Sequence, residues 1–244
     1  MRISDIKIDE HTRGPIGGLN PYNEHYQLIG EEFLGLLKEY AKLSPNTHTL
    51  DIGCGMGRLT NQLIRYTEDG SYDGFDINKQ YTDYCESTFN DKRFTFKHLD
   101  IHHPEFNHTG QIDAKDVILP YDDNSFDLVV AIAVFNHFEL DWYECYFKEI
   151  SRLLRYKGVF FATLLLNHNY DNAELDFEVK TEHIWYKNKS RPLMNTTISE
   201  VYIRQLCVKN GLMIKEPIRY GHWVRSASAI TGHDVIIASK GQWQ

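Results

Sequence analysis

The feature that most constrains the fold is a strand-like segment that passes into a glycine-rich turn and then into a helix. Residues 47–52 form the predicted strand, Gly53, Gly55 and Gly57 punctuate the turn, and residues 58–66 form the predicted helix. Glycine lets the backbone approach a ligand closely, and the start of a helix offers unpaired N–H groups. The third glycine comes one residue earlier than in the dinucleotide-binding pattern G-x-G-x-x-G, which counts against a dehydrogenase.

Strand-like and helix-like segments alternate along most of the chain. The predicted strands of the alternating part cover residues 47–52, 71–77, 94–99, 126–134 and 159–166. Such alternation predicts a parallel sheet with helices on both faces. Two further strands, residues 212–219 and 234–239, have no helix between them and are therefore predicted as an antiparallel pair at one edge. The expected fold is α/β and Rossmann-like, with a seven-stranded, mostly parallel sheet in a single domain over residues 1–244.

Composition limits the compartment and the partners. The 244 residues carry 26 Lys and Arg against 34 Asp and Glu, a formal net charge of −8. An acidic surface disfavours non-specific binding to nucleic-acid phosphates. Apolar runs such as residues 129–135 are far shorter than the roughly 18 residues of a membrane span. No apolar stretch follows residues 1–5, and the four cysteines lie far apart. We therefore expect a cytoplasmic protein with reduced thiols, no signal peptide and no membrane insertion.

Two segments fall outside the regular alternation. Residues 1–24 are rich in glycine, proline, asparagine and charge, and are interpreted as an arm that is either flexible or folded over a ligand. Residues 167–197 are polar and aromatic without a clear period. A long stretch without regular structure inside a domain is often a functional lid, so we expect a lid insertion there.

Aspartates follow three successive predicted strands or lie at their ends. Asp51 directly precedes the glycine turn, Asp76 ends the second strand and Asp100 follows the third. A carboxylate at the end of the second strand commonly accepts the ribose hydroxyls of a nucleotide. Each aspartate alone could be an ordinary surface or capping residue. Together they predict an adenosine site with a glycine loop, a ribose clamp at Asp76 and a base-edge acceptor at Asp100.

These residues resemble the class I S-adenosylmethionine-dependent methyltransferases, and the resemblance runs from about Tyr26 to Lys240. It rests on D-I-G-C-G-M-G at 51–57, G-F-D-I at 74–77, the acidic stretch 119–129 and the helix end 150–158. Tyr156 stands where the family commonly has proline. More narrowly, V-F-N-H-F at 134–138, residues 217–223 and H-D-V-I at 233–236 are similar to a bacterial subfamily linked with glycan biosynthesis.

The resemblance implies that S-adenosylmethionine is the cofactor and gives roles to individual residues. Asp76 would bind its ribose and Asp100 its adenine amino group. Asp51 would hold the glycine turn and accept from the cofactor amino group through water. The glycines that would approach the methionine part are Gly53, Gly55 and Gly57. The positions implied near the sulfonium are Ala133 and Phe135, and the other expected cofactor-binding positions are Tyr26, Cys54, Arg58, Ile77 and Ile101.

His137 is the candidate general base for methyl transfer to a hydroxyl group. It follows the fourth predicted strand, at the rim where ligands bind in open α/β sheets. A histidine suits this role because its ordinary pKa lies near neutrality. The alternative interpretation is a capping or packing histidine. A nearby polar loop contains three histidines and a glutamate: His102, His103, His108 and Glu105. This loop could be solvated, could form part of an acceptor site or could supply metal ligands. Metal ligation is disfavoured because adjacent side chains of an extended segment point in opposite directions, and no metal is expected.

The candidate acceptor-binding residues combine aromatic rings with polar groups, which suits a sugar or another polar ring. They are Arg13, Tyr22, Tyr170, Trp185, His222 and Trp223. Tyr22 and Tyr26 could instead cover the cofactor or only pack on the first helix, whereas Cys54 is expected to be a small packed residue. The sequence thus predicts an O-methyltransferase that acts on a sugar or glycan precursor. It also predicts a possible homodimer and no nucleic-acid partner. The alternatives are a methyltransferase for RNA or protein, and a non-catalytic cofactor-binding regulator.

Overall fold

The computed structural model describes residues 24–168 and 176–241. The chain forms two compact units, divided between Asp100 and Ile101. Seven of its strands belong to one mostly parallel sheet with an antiparallel edge, so the predicted α/β, Rossmann-like fold is confirmed. The single-domain organisation stays a prediction.

The first unit contains three strands and three helices. Strand β2 pairs in parallel with β1 on one side and β3 on the other. Helix α3 starts at an N-cap, where the side chain of Asn78 accepts the N–H of Gln80. The elements are α1 (Glu24–Tyr40), β1 (His48–Ile52), α2 (Thr60–Tyr66), β2 (Ser71–Asp76), α3 (Lys79–Thr88) and β3 (Phe94–His98).

The second unit contains the other four strands of the main sheet and a separate small sheet. Strand β4 is parallel to β5, and β10 is antiparallel to both β5 and β9. The strands of the main sheet are β4 (Phe126–Ala131), β5 (Leu154–Leu164), β9 (Leu212–Ile214) and β10 (Asp234–Lys240). The helices are α4 (Leu140–Leu153) and α5 (Glu200–Lys209), and the small sheet consists of β6 (Val179–Lys180), β7 (Ile184–Tyr186) and β8 (Thr196–Ile198).

The centre of the second unit explains its apolar sequence. Val129 and Val130 of β4 and Phe160 and Phe161 of β5 are all fully buried. Side chains on both faces of these strands are therefore covered, as the nearly continuous apolar runs predict. Strand β5 begins at Leu154, five residues before the predicted start, because the chain passes from α4 into the strand without a loop.

The expectation that residues 167–197 lack regular structure is wrong for the part that the structure describes. Antiparallel pairing joins β6 to β7 and β7 to β8, and a bridge links Leu166 to Ile198. We call residues 176–198 the insertion sheet. Its strands are short and rich in aromatic and β-branched residues, which favour extended backbone.

Candidate active site

The glycine turn of the first unit is fastened to the end of β2. The N–H groups of Gly53 and Cys54 both donate to the carbonyl oxygen of Phe75, at 2.9 and 3.0 Å. Gly57 has a φ of 78°, and a Cβ atom there would collide with the ring of Phe89. A larger residue at position 57 would therefore be both strained and obstructed. Glycine at this position therefore lets the turn pack against Phe89.

Asp76 occupies the end of β2 beside this turn. Its Oδ2 accepts the N–H of Gly55 at 2.9 Å, and its Oδ1 accepts the N–H of Asn78 at 2.8 Å. Burial raises the pKa of Asp76, while these N–H donors and the charge of His98 act in the opposite direction. A carboxylate has about four acceptor positions. Backbone N–H groups of Gly55, Asn78 and Ile77 act on this carboxylate, and the remaining acceptor capacity is available to a ribose hydroxyl.

Asp51, at the end of β1, is buried and anchored by a tyrosine. The Tyr72 hydroxyl donates to Oδ2 of Asp51 at 2.7 Å. Burial raises the pKa of Asp51 to about 7, although the Tyr72 hydrogen bond and the charge of Arg58 favour the ionised form. Asp51 therefore lies close to its titration point at neutral pH, and a bound cation would favour its ionised form.

Tyr26 of α1 is buried and binds the glycine turn directly. Its hydroxyl donates to the carbonyl oxygen of Met56 at 2.8 Å. The same helix is tied to α2 because Oε1 of Gln27 accepts the side-chain amide of Asn61 at 2.7 Å. The position of Tyr26 is thus set by contacts with the turn, which places it beside the predicted cofactor site.

Cys54 is a packed residue of the turn. A Cβ atom at Gly74 would lie only 2.9 Å from the Cβ of Cys54, so the glycine in β2 makes room for this side chain. A hydrogen bond with Cys85 and burial together raise the pKa of the Cys54 thiol well above its ordinary value. A protonated, buried thiol is a poor nucleophile. Ile77 and Asp100, the other expected cofactor contacts of this unit, are half-buried.

Three of the predicted cofactor-binding positions lie in the second unit. Ala133 and Phe135 follow the end of β4, and Ile101 is the first residue of the unit. Ala133 has a φ of 58°, and its N–H donates to Oγ1 of Thr163 at 2.8 Å. A positive φ is unusual for alanine and tends to occur at functional sites. Phe135 is buried, and its carbonyl oxygen accepts the hydroxyl of Tyr143 at 2.7 Å. Ile101 is buried and bridges to Ile112.

His137 is buried, and both of its ring nitrogens are engaged. Nδ1 lies 2.9 Å from the carbonyl oxygen of Leu193, so Nδ1 carries the proton and donates. Nε2 therefore accepts, and its partner is the side-chain amide of Asn136 at 3.0 Å. Burial lowers the pKa of His137 to about 4. The imidazole is neutral at physiological pH, with one fixed tautomer.

Asn136 carries a buried acceptor that no hydrogen bond satisfies among the described residues. The Asn136 side chain is 2% exposed, and its Oδ1 has no partner there. Because the amide nitrogen faces the accepting Nε2 of His137, the oxygen cannot be exchanged with it by a flip. A buried unsatisfied oxygen costs about 1–3 kcal/mol, which a donor on a ligand or water would offset.

His103 is a structural partner of the same loop. Its Nε2 donates to the carbonyl oxygen of His137 at 2.8 Å, and its Nδ1 accepts the N–H of Glu105 at 3.0 Å. Burial lowers the pKa of His103 to about 4. Within residues 24–168 and 176–241, no group of three histidine, cysteine or acidic residues is arranged to hold a metal ion.

Two of the predicted acceptor-binding residues, Trp185 and Trp223, pack in one hydrophobic cluster of the second unit. Trp223 is buried, and its Nε1 donates to Oδ2 of Asp234 at 2.8 Å, which gives it a structural partner. Trp185 is half-buried in the insertion sheet and packs on Phe177. His222 is exposed. The other candidates, Arg13, Tyr22 and Tyr170, lie outside the described residues.

A groove that the sequence analysis did not anticipate lies wholly within the second unit. Its volume is about 480 Å³, and its lining residues are His102, Pro104, Gln111, Asp113, Lys115, Glu139, Leu140, Asp141 and Trp142. They come from the loop after β3 and from the start of α4. Of these residues, only His102 is a candidate site residue in the sequence analysis. The loop and the helix start are separate in the sequence, and no periodic pattern connects them. We call this cavity the α4 groove.

Comparison with known proteins supports the interpretation of the first motif. Residues 50–162 match a protein family described as a methyltransferase domain. A similar curated protein is the U6 snRNA methylphosphate capping enzyme Amus of Drosophila melanogaster, 27% identical over 145 residues. The match covers 54% of this chain and 46% of that enzyme, so the chain spans less than half the length of that relative.

Solved structures with low sequence identity share the fold. The PH0226 protein of Pyrococcus horikoshii aligns with a TM-score of 0.63 at 18% identity, over 96% of this chain and 99% of that one. An S-adenosylmethionine-dependent methyltransferase of Methanosarcina mazei aligns with a TM-score of 0.58 at 18% identity, over 85% and 98%. The 1,6-didemethyltoxoflavin-N1-methyltransferase of Burkholderia thailandensis, solved with bound S-adenosylhomocysteine, gives 0.52 at 16% identity, over 90% and 78%.

The domain match over residues 50–162 supports a methyltransferase with S-adenosylmethionine as its cofactor, and the solved structures show that the chain shares the fold of such enzymes. The first unit fits that cofactor, because the turn adopts positive φ at Gly53, Gly55 and Gly57, which carry no side chains, and Asp76 presents a carboxylate beside it. No helix in the described ranges has the length and apolar character that crossing a membrane would require.

Proposed function

We propose that the chain transfers the methyl group of S-adenosylmethionine to a hydroxyl oxygen of a polar small molecule, a sugar or glycan precursor. The observation that carries the polar acceptor is the α4 groove. Six of its nine lining residues have polar or charged side chains. A lipid or quinone acceptor would need a predominantly apolar pocket.

Our assignment of the cofactor site rests on the first unit. Asp76 accepts from the ribose through the acceptor capacity that its backbone N–H partners leave available. The glycine turn lies against the methionine end, and Tyr26 fixes the turn through Met56. The bound cofactor supplies an electrophilic methyl group. The chain's residues then have to orient the acceptor oxygen and remove its proton.

His137 is our candidate for receiving that proton. Its Nε2 carries the lone pair, since Nδ1 donates to Leu193. The amide of Asn136 occupies Nε2, so it has to turn away when an acceptor hydroxyl approaches. The buried, unsatisfied Oδ1 of Asn136 supports this rearrangement, because the turned amide would gain a donor from the acceptor or from water.

The test is a methyl-transfer screen with release of S-adenosylhomocysteine as the readout. The panel contains free sugars, nucleotide sugars, lipids, simple phenols and RNA. We expect turnover with a carbohydrate and formation of an O-methyl product, identified by mass spectrometry. A consistent preference for lipid, phenol or RNA over every carbohydrate would contradict the proposal.

RNA is the second candidate acceptor because of one comparison. The similar Drosophila enzyme is named for capping U6 snRNA with a methylphosphate. The formal charge of −8 weighs against a long nucleic acid, whose phosphates are bound through Lys and Arg. Activity on an RNA 5′ end that falls steeply with added salt would favour this candidate over the carbohydrate.

A further inference from the structure

The α4 groove has a charge that selects among polar ligands. Its lining residues include three carboxylates, those of Asp113, Glu139 and Asp141, and one ammonium group, that of Lys115. With His102 neutral, these groups give a formal charge of 1 − 3 = −2. Lys115 is paired with Asp113 at 3.0 Å. The remaining negative charge lies at Glu139 and Asp141, next to the start of α4.

The two carboxylates at that end are held in different ways. Oε2 of Glu139 accepts the hydroxyl of Tyr186 at 3.0 Å, and this contact fixes the carboxylate against the insertion sheet. Asp141 lies in the first turn of α4, where the helix dipole favours an acidic side chain. Each carboxylate has about four acceptor positions, so both can accept further hydroxyl or ammonium donors.

An apolar surface completes the groove. Leu140 and Trp142 flank Asp141 in sequence and line the same cavity, as does Pro104. Trp142 is 9% exposed, so it adds a small apolar surface beside the carboxylates, which suits a ligand with an apolar ring face and polar edges. Gln111 and His102 add neutral donors and acceptors.

Contacts within the second unit connect this groove to the candidate base. The ring of Trp142 packs edge-on against that of His103, with centroids 5.3 Å apart. His103 in turn donates to the carbonyl oxygen of His137. The ring of Phe106 lies between the two histidines and contacts both, at 4.8 and 4.9 Å. The wall of the groove therefore packs directly on the loop that carries His137.

We infer that the α4 groove is a binding site for a hydroxyl-bearing amine of amino-sugar type. The carboxylates of Glu139 and Asp141 bind its ammonium and hydroxyl groups, and Trp142 packs against its ring. An anionic ligand of the same size is disfavoured by the charge of −2. The inference rests on the proposed function only for the role of the ligand in methyl transfer, and the binding itself is tested without cofactor.

The experiment compares three probes that share one ring and differ in charge: glucosamine, glucose and glucose 1-phosphate. Each is titrated into the full chain without cofactor, by calorimetry at slightly acidic pH, where the amine is protonated. We expect affinity to fall in the order glucosamine, glucose, glucose 1-phosphate. Asp141→Asn and Glu139→Gln should each weaken glucosamine binding about fivefold, the effect of one neutralised contact in water, and should affect glucose less.

Glu182→Gln is the matched control, because Glu182 is exposed and does not line the groove. It should leave all three affinities unchanged. The inference is overturned if none of the probes binds at millimolar concentration, if the phosphate binds as well as the amine, or if the control weakens binding as much as Asp141→Asn.

Addition of S-adenosylmethionine distinguishes two roles that the bound ligand could have. A methylated amino sugar identifies a methyl acceptor, whereas binding without methylation identifies a non-reacting effector, and both outcomes support the site. Methyl transfer to another hydroxyl compound with no amine binding would overturn this inference and leave the proposed function intact. Amine binding by a chain that methylates no compound of the panel would support this inference and contradict the proposed function.

Discussion

The carboxylate of Asp76 accepts the backbone N–H of Gly55 at 2.9 Å, across a separation of 21 residues. The end of β2 therefore holds the glycine turn that follows β1. A ligand that engages Asp76 meets a carboxylate already oriented by the backbone, so little entropy is lost in ordering it. One side chain thus both shapes the turn and offers acceptors to the cofactor.

Asp76→Asn should weaken binding of S-adenosylmethionine. The amide replaces one charged acceptor with a donor and removes a charge-assisted hydrogen bond. We expect the dissociation constant to rise about tenfold or more, which corresponds to a hydrogen bond of about 1.5 kcal/mol or more to a charged group. Calorimetry measures this, and Asp69→Asn, in an exposed turn of the same unit, should leave the affinity unchanged. Equal affinity of a folded Asp76→Asn variant would remove the ribose assignment.

Acid should destabilise the chain through His103 and His137. Burial lowers the pKa of each to about 4, whereas in the unfolded chain it is about 6.5. Between these values the unfolded chain binds more protons than the folded one, so stability falls as pH falls from about 6.5 to 4. Each histidine contributes a slope of at most about 1.4 kcal/mol per pH unit.

Urea unfolding at a series of pH values measures this slope. His137→Gln keeps a donor for the carbonyl oxygen of Leu193 and should reduce the slope by the share of one histidine. His108→Gln, at an exposed position, should leave it unchanged. An unaltered slope in His137→Gln would show that His137 does not titrate as a buried neutral group.

His137→Ala should lower kcat about 10²–10⁴-fold on the true acceptor, with nearly unchanged cofactor affinity, if His137 receives the acceptor proton. The pH–rate profile should also lose its acidic limb. His137→Gln separates catalysis from structure, because glutamine can still donate to Leu193 but cannot take up a proton at neutral pH. Restored kcat in the glutamine variant would assign His137 a structural role.

Asp234→Asn should destabilise the second unit. Its carboxylate accepts three N–H groups, from the Leu166 backbone at 2.7 Å, the Gly221 backbone at 2.7 Å and the Trp223 indole at 2.8 Å. An amide would turn one acceptor into a donor that faces a buried N–H. We expect a loss of about 2–4 kcal/mol in the free energy of unfolding, measured by urea denaturation.

Asp127→Asn provides the comparison for that variant. Asp127 pairs with Arg155 at 2.8 Å, and both side chains are about two-fifths exposed. Surface ion pairs contribute at most about 1 kcal/mol. A loss at Asp234 no larger than that at Asp127 would contradict a structural role for the buried carboxylate.

Local patterns in the sequence were sufficient for the elements that repeat. Hydrophobic periodicity and glycine positions predict three of these features. They are the strand before Gly53, the alternation of strands and helices after it, and the antiparallel pairing of β9 with β10. Ser199, a residue type favoured at helix starts, is the N-cap of α5 and accepts the N–H of Tyr202. These features depend on neighbours close in the sequence.

Features set by distant residues could not be predicted in this way. The hydrogen bond from the Trp223 indole to Asp234 joins a loop to a strand that only the fold brings next to it. The α4 groove likewise joins residues near 102–115 to residues 139–142, and no period connects these two stretches. The insertion sheet was missed because two- and three-residue strands are too short to show alternation.

The hydrogen bond from Nδ1 of His137 to the carbonyl oxygen of Leu193 spans 56 positions of the chain. The tautomer of the imidazole and the local order of the segment around Leu193 therefore form one linked equilibrium. Such linkage is reciprocal, so a molecule that loosens this segment breaks the hydrogen bond of Nδ1, and a molecule that competes for Nδ1 loosens the segment to the same extent. Substitutions in the insertion can thus tune the basicity of His137 without altering any residue of its own loop.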